Sequence, residues 1–179
     1  MNITVYLGAS EGRSGAIAED VRALGRWIGE SGNALVYGGS KSGLMGALAE
    51  SALAAGARVT GVEPQFFIDA GFEAEGLTEL IVTPDIAARK AKMLELGDAF
   101  VAFPGGTGTL EEIAEVMSLV ALGRLRAPCI LYNWNGFYDP LRGLLERMTA
   151  EGFSDPERRR GIRFAASIEE IKEILNVWS

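Results

Sequence analysis

Short, almost wholly apolar runs punctuate the 179-residue chain: ITVYL, ALVYG, RVTGV, ELIVT, DAFVAFP and PCILYN. They are apolar on successive rather than alternate positions and too brief for a helix, the pattern of strands buried on both faces of a sheet. Between them lie longer stretches, such as residues 16–31 and 44–55, in which apolar residues recur at helical spacing. Strand alternating with helix over the whole length predicts an α/β fold: a Rossmann-like, doubly wound, mostly parallel sheet with helices on both faces and right-handed crossovers. No repeat, low-complexity segment or linker interrupts the pattern, so a single domain over residues 1–179 is expected. Near the end, SIEEIKEILNVW offers Ser167 as a helix cap with Glu170 three residues on, which predicts a terminal docking helix.

Composition narrows the chemistry. A hydrophobic content of 48% with 23% charged residues fits one globular domain with a substantial core. The net charge of −7 and pI near 4.8 argue against a nucleic-acid surface, so any phosphate must be captured locally. The opening MNITVYLGAS lacks a basic segment followed by a long apolar stretch, and no apolar run is long enough to span a bilayer, so no membrane partner and a cytoplasmic location are expected. The lone Cys129, within APCILYN, reads as a buried free thiol. The absence of histidine removes the usual zinc ligand and the usual base of serine and cysteine hydrolases. No metal and no cofactor are expected, and chemistry falls to carboxylates, Arg, Lys or backbone.

In open α/β sheets the ligand crevice lies beyond the carboxyl ends of the strands, and several strand ends here carry distinctive residues. After the first run, GASEG (residues 8–12) matches G-x-S-x-G, but a nucleophilic serine needs a base that this chain lacks. Ser10 instead suits a turn offering amides and a hydroxyl to a ligand, or a plain strand-to-helix turn. The second strand end, YGGSKSGLMG, has Gly38, Gly39 and Gly43 before a helix starting near Leu44; it is either a ligand-contacting turn or a device for close helix–sheet contact. It is not a Walker A loop, because Lys41 sits between two serines. In TPDIAARKAKM, Arg89 and Lys90 are neighbours on a helix and so point about 100° apart. If one serves the crevice, the other does a different job.

The fifth run ends in PGGTGTLEE. Gly105, Gly106 and Gly108 free backbone positions for an anion-binding nest at a helix N-terminus, with hydroxyls from Thr107 and Thr109. The loop follows a middle strand and does not match G-x-G-x-x-G, which excludes the dinucleotide fingerprint. Two readings of the glutamates stand: Thr109-x-x-Glu112 is a capping box, or the acids face a ligand. Glu111, Glu112 and Glu115 together exceed what a cap requires, and Glu112 and Glu115 share a helix face. A carboxylate beside a bound phosphate suits a ribose phosphate whose anomeric carbon becomes cationic during reaction.

PGGTGTLEE resembles the PGGxGTxxE motif of the LOG (LONELY GUY) family, phosphoribohydrolases often labelled possible lysine decarboxylases. The resemblance covers almost the whole chain: GAS, VYGGSKSGLMG, GLTELIVT, ARKAKM, DAFVAFPGG and FYDPL fall in the family's order and spacing. It implies hydrolysis of the N-glycosidic bond of nucleoside 5′-monophosphates, cytokinin riboside monophosphates and commonly AMP, to free base and ribose 5-phosphate. Arg89 and Glu112 would take the catalytic positions. Lys90 would complete the Arg–Lys pair, residues Gly105, Gly106, Thr107, Gly108, Thr109, Leu110 and Glu111 would form the phosphate and sugar loop, and Ser10 and Gly39 would face the ligand. A homodimer is also implied. The family's usual M-H-E-R-K segment is here IAARK, and an Arg–Glu pair common after the third strand's proline is replaced by Ala70 and Gly71, positions expected to touch the base or rim. A nucleotide- or cofactor-binding carrier of the same fold, without hydrolase activity, is the alternative.

Overall fold

Alternation within each strand sorts side chains onto two faces, and both faces are covered. Along β1 (Asn2–Tyr6), Ile3, Val5 and the following Leu7 enter one core while Tyr6 enters the other. The same division recurs in β2 (Ala34–Tyr37), where Leu35 and Tyr37 oppose Val36, and in β5 (Ala99–Ala102), where Ala99 and Val101 oppose Phe100 and Ala102. A computed structural model describes residues 1–13 and 15–178. In it β3 (Arg58–Pro64), β4 (Glu79–Thr83), β6 (Cys129–Tyr132) and β7 (Ile162–Ala165) complete a seven-stranded sheet in the order β4-β3-β2-β1-β5-β6-β7, with every neighbouring pair parallel.

On the first face lie α1 (Ile17–Glu30), α2 (Gly43–Ala54) and the terminal α7 (Ile168–Trp178). The second face is covered by α4 (Ile86–Leu96), α5 (Thr107–Ala121) and α6 (Asp139–Ala150), the last through half-buried Leu141 and Leu145. A short α3 (Gln65–Asp69) follows β3. At α7, Ser167 Oγ accepts a hydrogen bond from the Glu170 amide at 3.1 Å, and the Glu170 carboxylate accepts from the Ala166 amide at 2.7 Å, so the cap expected from the sequence forms. Cys129 is fully buried and free, and burial pushes its thiol up to about 12. Among the described residues no helix is long and apolar enough to cross a membrane.

Three elements were not foreseen. The edge strand β7 is only half-buried and carries exposed Arg163, which breaks its apolar run. Helix α6 has no fully buried residue, and α3 spans just five. The topology matters more for function. Winding proceeds outward from β1 to β4 on one side and then returns to β5 on the other, so the connections leaving β1 and β5 diverge and open a crevice between them.

Packing on the first face is tightest where α1 meets α2. A Cβ placed on Gly29 would stand 2.5 Å from the backbone oxygen of Ala55. Gly143, on exposed α6, has nothing within 4 Å of that position. Gly29→Ala should therefore cost about 1–3 kcal/mol through overpacking, whereas Gly143→Ala should add roughly 0.5–1 kcal/mol through helix propensity. Denaturant midpoints for the two variants are expected to move in opposite directions.

Candidate active site

The crevice at the β1/β5 divergence contains a cavity of about 480 Å³, within the range of small-ligand sites. Its floor is the end of β1 and the turn after it, Gly8 and Ala9; its walls are the end of β2, the end of β3, α4, and the N-terminus of α5. The two diverging loops touch. The Gly8 amide donates to Pro104 O at 3.3 Å, and a Cβ on Gly105 would stand 3.0 Å from the Gly8 nitrogen and 2.7 Å from Thr109 Cβ. Only glycine permits this approach. From the opposite side Tyr138, buried in the FYDPL segment, donates its hydroxyl to Phe103 O at 2.8 Å, while its own amide donates to Asn133 Oδ1 at 2.7 Å.

Helix α5 begins at Thr107 and is capped by Gly106, which has no side chain to offer its first-turn amides. Gly106, Thr107, Gly108 and Thr109 all line the cavity. Unsatisfied amides at the positive end of a 15-residue helix form an anion site. Because Thr109 is the third helical residue and is buried, it is not the cap, and the capping box with Glu112 does not form. Glu112 instead turns toward the cavity, its side chain 11% exposed, with Oε1 3.4 Å from Arg89 Nη1.

Arg89 is presented by α4, whose first turn is secured by Asp85 Oδ1 accepting from the Ala88 amide at 2.8 Å. Its guanidinium reaches three elements: Nε donates to Val62 O at 3.0 Å, Nη2 to Gly38 O at 3.4 Å, and Nη1 faces Glu112. Burial pushes the Glu112 carboxyl above its usual range and Arg89 pulls it back, so the arginine favours the ionised form. The pair shares the cavity wall with Tyr6, whose phenol is driven well upward, by burial first and by Glu112 second. Lys90 has the different job that its position required. Its ammonium lies 2.7 Å from Glu111 Oε1 and 3.2 Å from Glu115 Oε2, and the bond to Glu111, then that to Glu115, raises its pKa.

Of the candidates from the sequence, the cavity wall brings together Arg89, Glu112, Gly106, Thr107, Gly108 and Thr109. Gly105 lies behind them, in contact with Gly8. Ser10 and Gly39 follow the lining residues Ala9 and Gly38 without lining the cavity themselves; Gly39 adopts φ +85° and its oxygen accepts from the Ala74 amide at 2.8 Å. Lys90, Leu110 and Glu111 are not on the wall. Sequence reading missed Tyr6, Met45, Phe67 and Phe72, which line it, and above all Glu63. Glu63 is 1% exposed at the end of β3, and burial raises its carboxyl to about 7, opposed by Arg89 and Lys41 and reinforced by Glu73. The signal was present: a lone acid inside the otherwise apolar VTGVEP is costly to bury.

An anion cradle at the switch point of a doubly wound sheet, with a buried Arg–carboxylate pair one helical turn away, defines a nucleotide- or sugar-phosphate-binding protein. The family described as "Possible lysine decarboxylase" matches residues 45–175, and this chain belongs to it; the LOG proteins are of this kind. Cytokinin riboside 5′-monophosphate phosphoribohydrolase from Rhodococcoides fascians is 44% identical over 169 residues, covering 94% of this chain and 85% of the relative. The enzyme of that name designated LOG from Oryza sativa subsp. japonica is 37% identical, with 94% and 70% covered. Among solved structures, the molybdenum cofactor carrier protein of Chlamydomonas reinhardtii superposes with a TM-score of 0.76 at 19% identity, over 99% of this chain and 96% of its own, a likeness of fold.

The contact between the two glycine loops should be sensitive to a single methyl group. Gly105→Ala is expected to cost about 1–3 kcal/mol, measured by chemical denaturation, and to shift the Gly8 amide resonance in a nitrogen–proton NMR spectrum. An unchanged Gly8 resonance would mean that the loops do not touch in solution.

Proposed function

We propose that the chain hydrolyses the N-glycosidic bond of nucleoside 5′-monophosphates, cytokinin riboside monophosphates and AMP, releasing free base and ribose 5-phosphate. The observation that carries this reading is the buried Arg89–Glu112 pair on the wall of a cavity whose neighbouring wall is the amide-lined start of α5. Relatives bearing the phosphoribohydrolase name, at 33–44% identity over at least 94% of this chain, support it.

In this reading the 5′-phosphate takes the amides of Gly106, Thr107, Gly108 and Thr109, whose helix dipole favours negative charge without a fixed cation. The ribose then lies toward Glu112, one turn further along α5. As the C1′–N bond breaks with its electrons leaving on the base, positive charge grows at the anomeric carbon and the ionised Glu112 stabilises it. The same carboxylate orients the water whose oxygen bonds to C1′; the water gives up a proton and the departing base takes one up. Arg89 favours the ionised form of Glu112 and holds it in place, and Lys90, paired with Glu111 and Glu115, braces α4 against α5. Gly105 shapes the cradle, with Ser10 and Leu110 at its margins and Gly39 beside Glu63.

The carrier alternative assigns no task to a buried carboxylate paired with Arg89 on the cavity wall. A homodimer through helices near the site fits the exposed apolar side chains of Leu110, Leu144 and Met148 on α5 and α6. The cytoplasm is the proposed compartment.

Glu112→Gln preserves shape and removes the charge. Release of adenine from AMP, followed by chromatography, should fall by about 10²–10³-fold, the usual loss on deleting one electrostatic contact to a transition state. Ribose 5-phosphate binding should persist, and unchanged turnover would reject the assignment. For Arg89→Met, the acid limb of the rate profile should move to higher pH, because burial, the largest influence on Glu112, then acts without its main opposing charge. That carboxylate's contribution exists only above its folded pKa and disappears as pH falls through it.

A further inference from the structure

Phosphate and sugar leave one part of the cavity without an occupant. The end of β3 supplies Glu63 to the wall, and Met45, Phe67 and Phe72 supply apolar surface. Phe72 belongs to a segment tied to the turn after β2: the Lys41 amide donates to Phe72 O at 2.9 Å, and the Ala74 amide donates to Gly39 O. Room for the Glu63 carboxyl exists only because residue 39 is glycine, since a Cβ there would be 3.0 Å from Glu63 Cβ and 3.2 Å from its Oε2. That Oε2 is buried and has no hydrogen-bond partner among the described residues. A buried polar atom left unmatched on a ligand cavity wall requires a partner.

We propose that Glu63 is the base-reading residue of this site, its carboxyl group making a two-point hydrogen bond with an aminopurine. The acid O–H donates to an imine-type ring nitrogen and the carbonyl oxygen accepts from the neighbouring exocyclic N–H. Phe67, Phe72 and Met45 enclose the flat ring, as apolar walls around a few placed polar groups usually do. The inference rests on the nucleotide reading above for the nature of the ligand. It adds which edge of the ligand is recognised and by what.

An ionised carboxylate could accept but not donate, so recognition depends on the protonated form. The charged and titratable groups facing Glu63 are Arg89 from α4 and Lys41 from the turn after β2, which oppose protonation, and Glu73 from the segment before β4, which favours it; Tyr37 on β2, buried with an unpartnered hydroxyl, also feels the Glu63 charge. Burial outweighs the two cations and sets the transition near pH 7. The acid form is complete well below that value and lost as pH rises through it.

The test measures binding by calorimetry in the Glu112→Gln protein, in which turnover is suppressed; Glu112 is not among the charges acting on Glu63. Dissociation constants for AMP and ribose 5-phosphate are compared from pH 5.5 to 8.5. Both ligands carry the same phosphate, so its ionisation cancels in their ratio. The preference for AMP should be constant at low pH and fall by up to about tenfold per pH unit above 7, as the acid fraction does. Adding Glu63→Gln, which presents a donor and an acceptor at every pH, should abolish that slope while AMP remains the preferred ligand. A pH-independent preference with Glu63 present, or the same slope after Glu63→Gln, would overturn the proposal. The comparison without the Glu63 substitution needs no new variant to fold, and base release by the unsubstituted protein separately tests the hydrolase reading.

Discussion

Arg89 ties helix α5 to the ends of two neighbouring strands of the sheet. Its guanidinium spans the carbonyls of Gly38 and Val62, at the ends of β2 and β3, and the carboxylate of Glu112 on α5. Removing it would leave Glu112 with a desolvated charge and no counter-ion, a costly state in a site this buried. The surroundings are built to admit it. A Cβ on Gly38 would collide with Arg89 Nη2 and lie 2.9 Å from Met45 Sδ, so this glycine provides volume for the guanidinium. The crevice is thus shaped by one side chain as much as by the sheet beneath it.

The adjacent cations and the three acids of α5 resolve into an inner and an outer set. Arg89 and Glu112 occupy the interior, each about nine-tenths buried, and Lys90 with Glu111 and Glu115 forms a belt where α4 and α5 meet. The rotation of about 100° between helical neighbours produces this division. It also resolves the function of the acids along α5. A cap would need one carboxylate aimed at backbone amides, whereas here one acid is committed to the cavity and two to a lysine.

Much of this was legible in the primary structure because burial on both faces leaves a strong signature. The strands nearest the centre are apolar at almost every position, and the topology that follows locates the crevice between GAS and PGGTG. Edge elements were harder to read, since Arg163 in β7 and the exposed face of α6 dilute the periodicity that reveals central ones. Thr109 left the capping reading open because a capping box is recognised by local spacing, and here the glycine loop starts the helix at Thr107, three residues before the start such a cap would give. Glu63 was hidden for the opposite reason. Its partners, Gly39, Arg89 and Glu73, come from three separate segments, and only their convergence shows that the acid is buried and unmatched.

The Tyr138 phenol, anchored on Phe103 just before the glycine cradle, links the cradle to a surface connection that lines none of it. The reach of one ring sets the height of the turn at Pro104. Trimming a residue between Asn133 and Asp139 would retract that prop and let the turn sag, spoiling nucleotide affinity from outside the cavity. A search for tolerant insertion points on this scaffold should treat the link between β6 and α6 as part of the machinery.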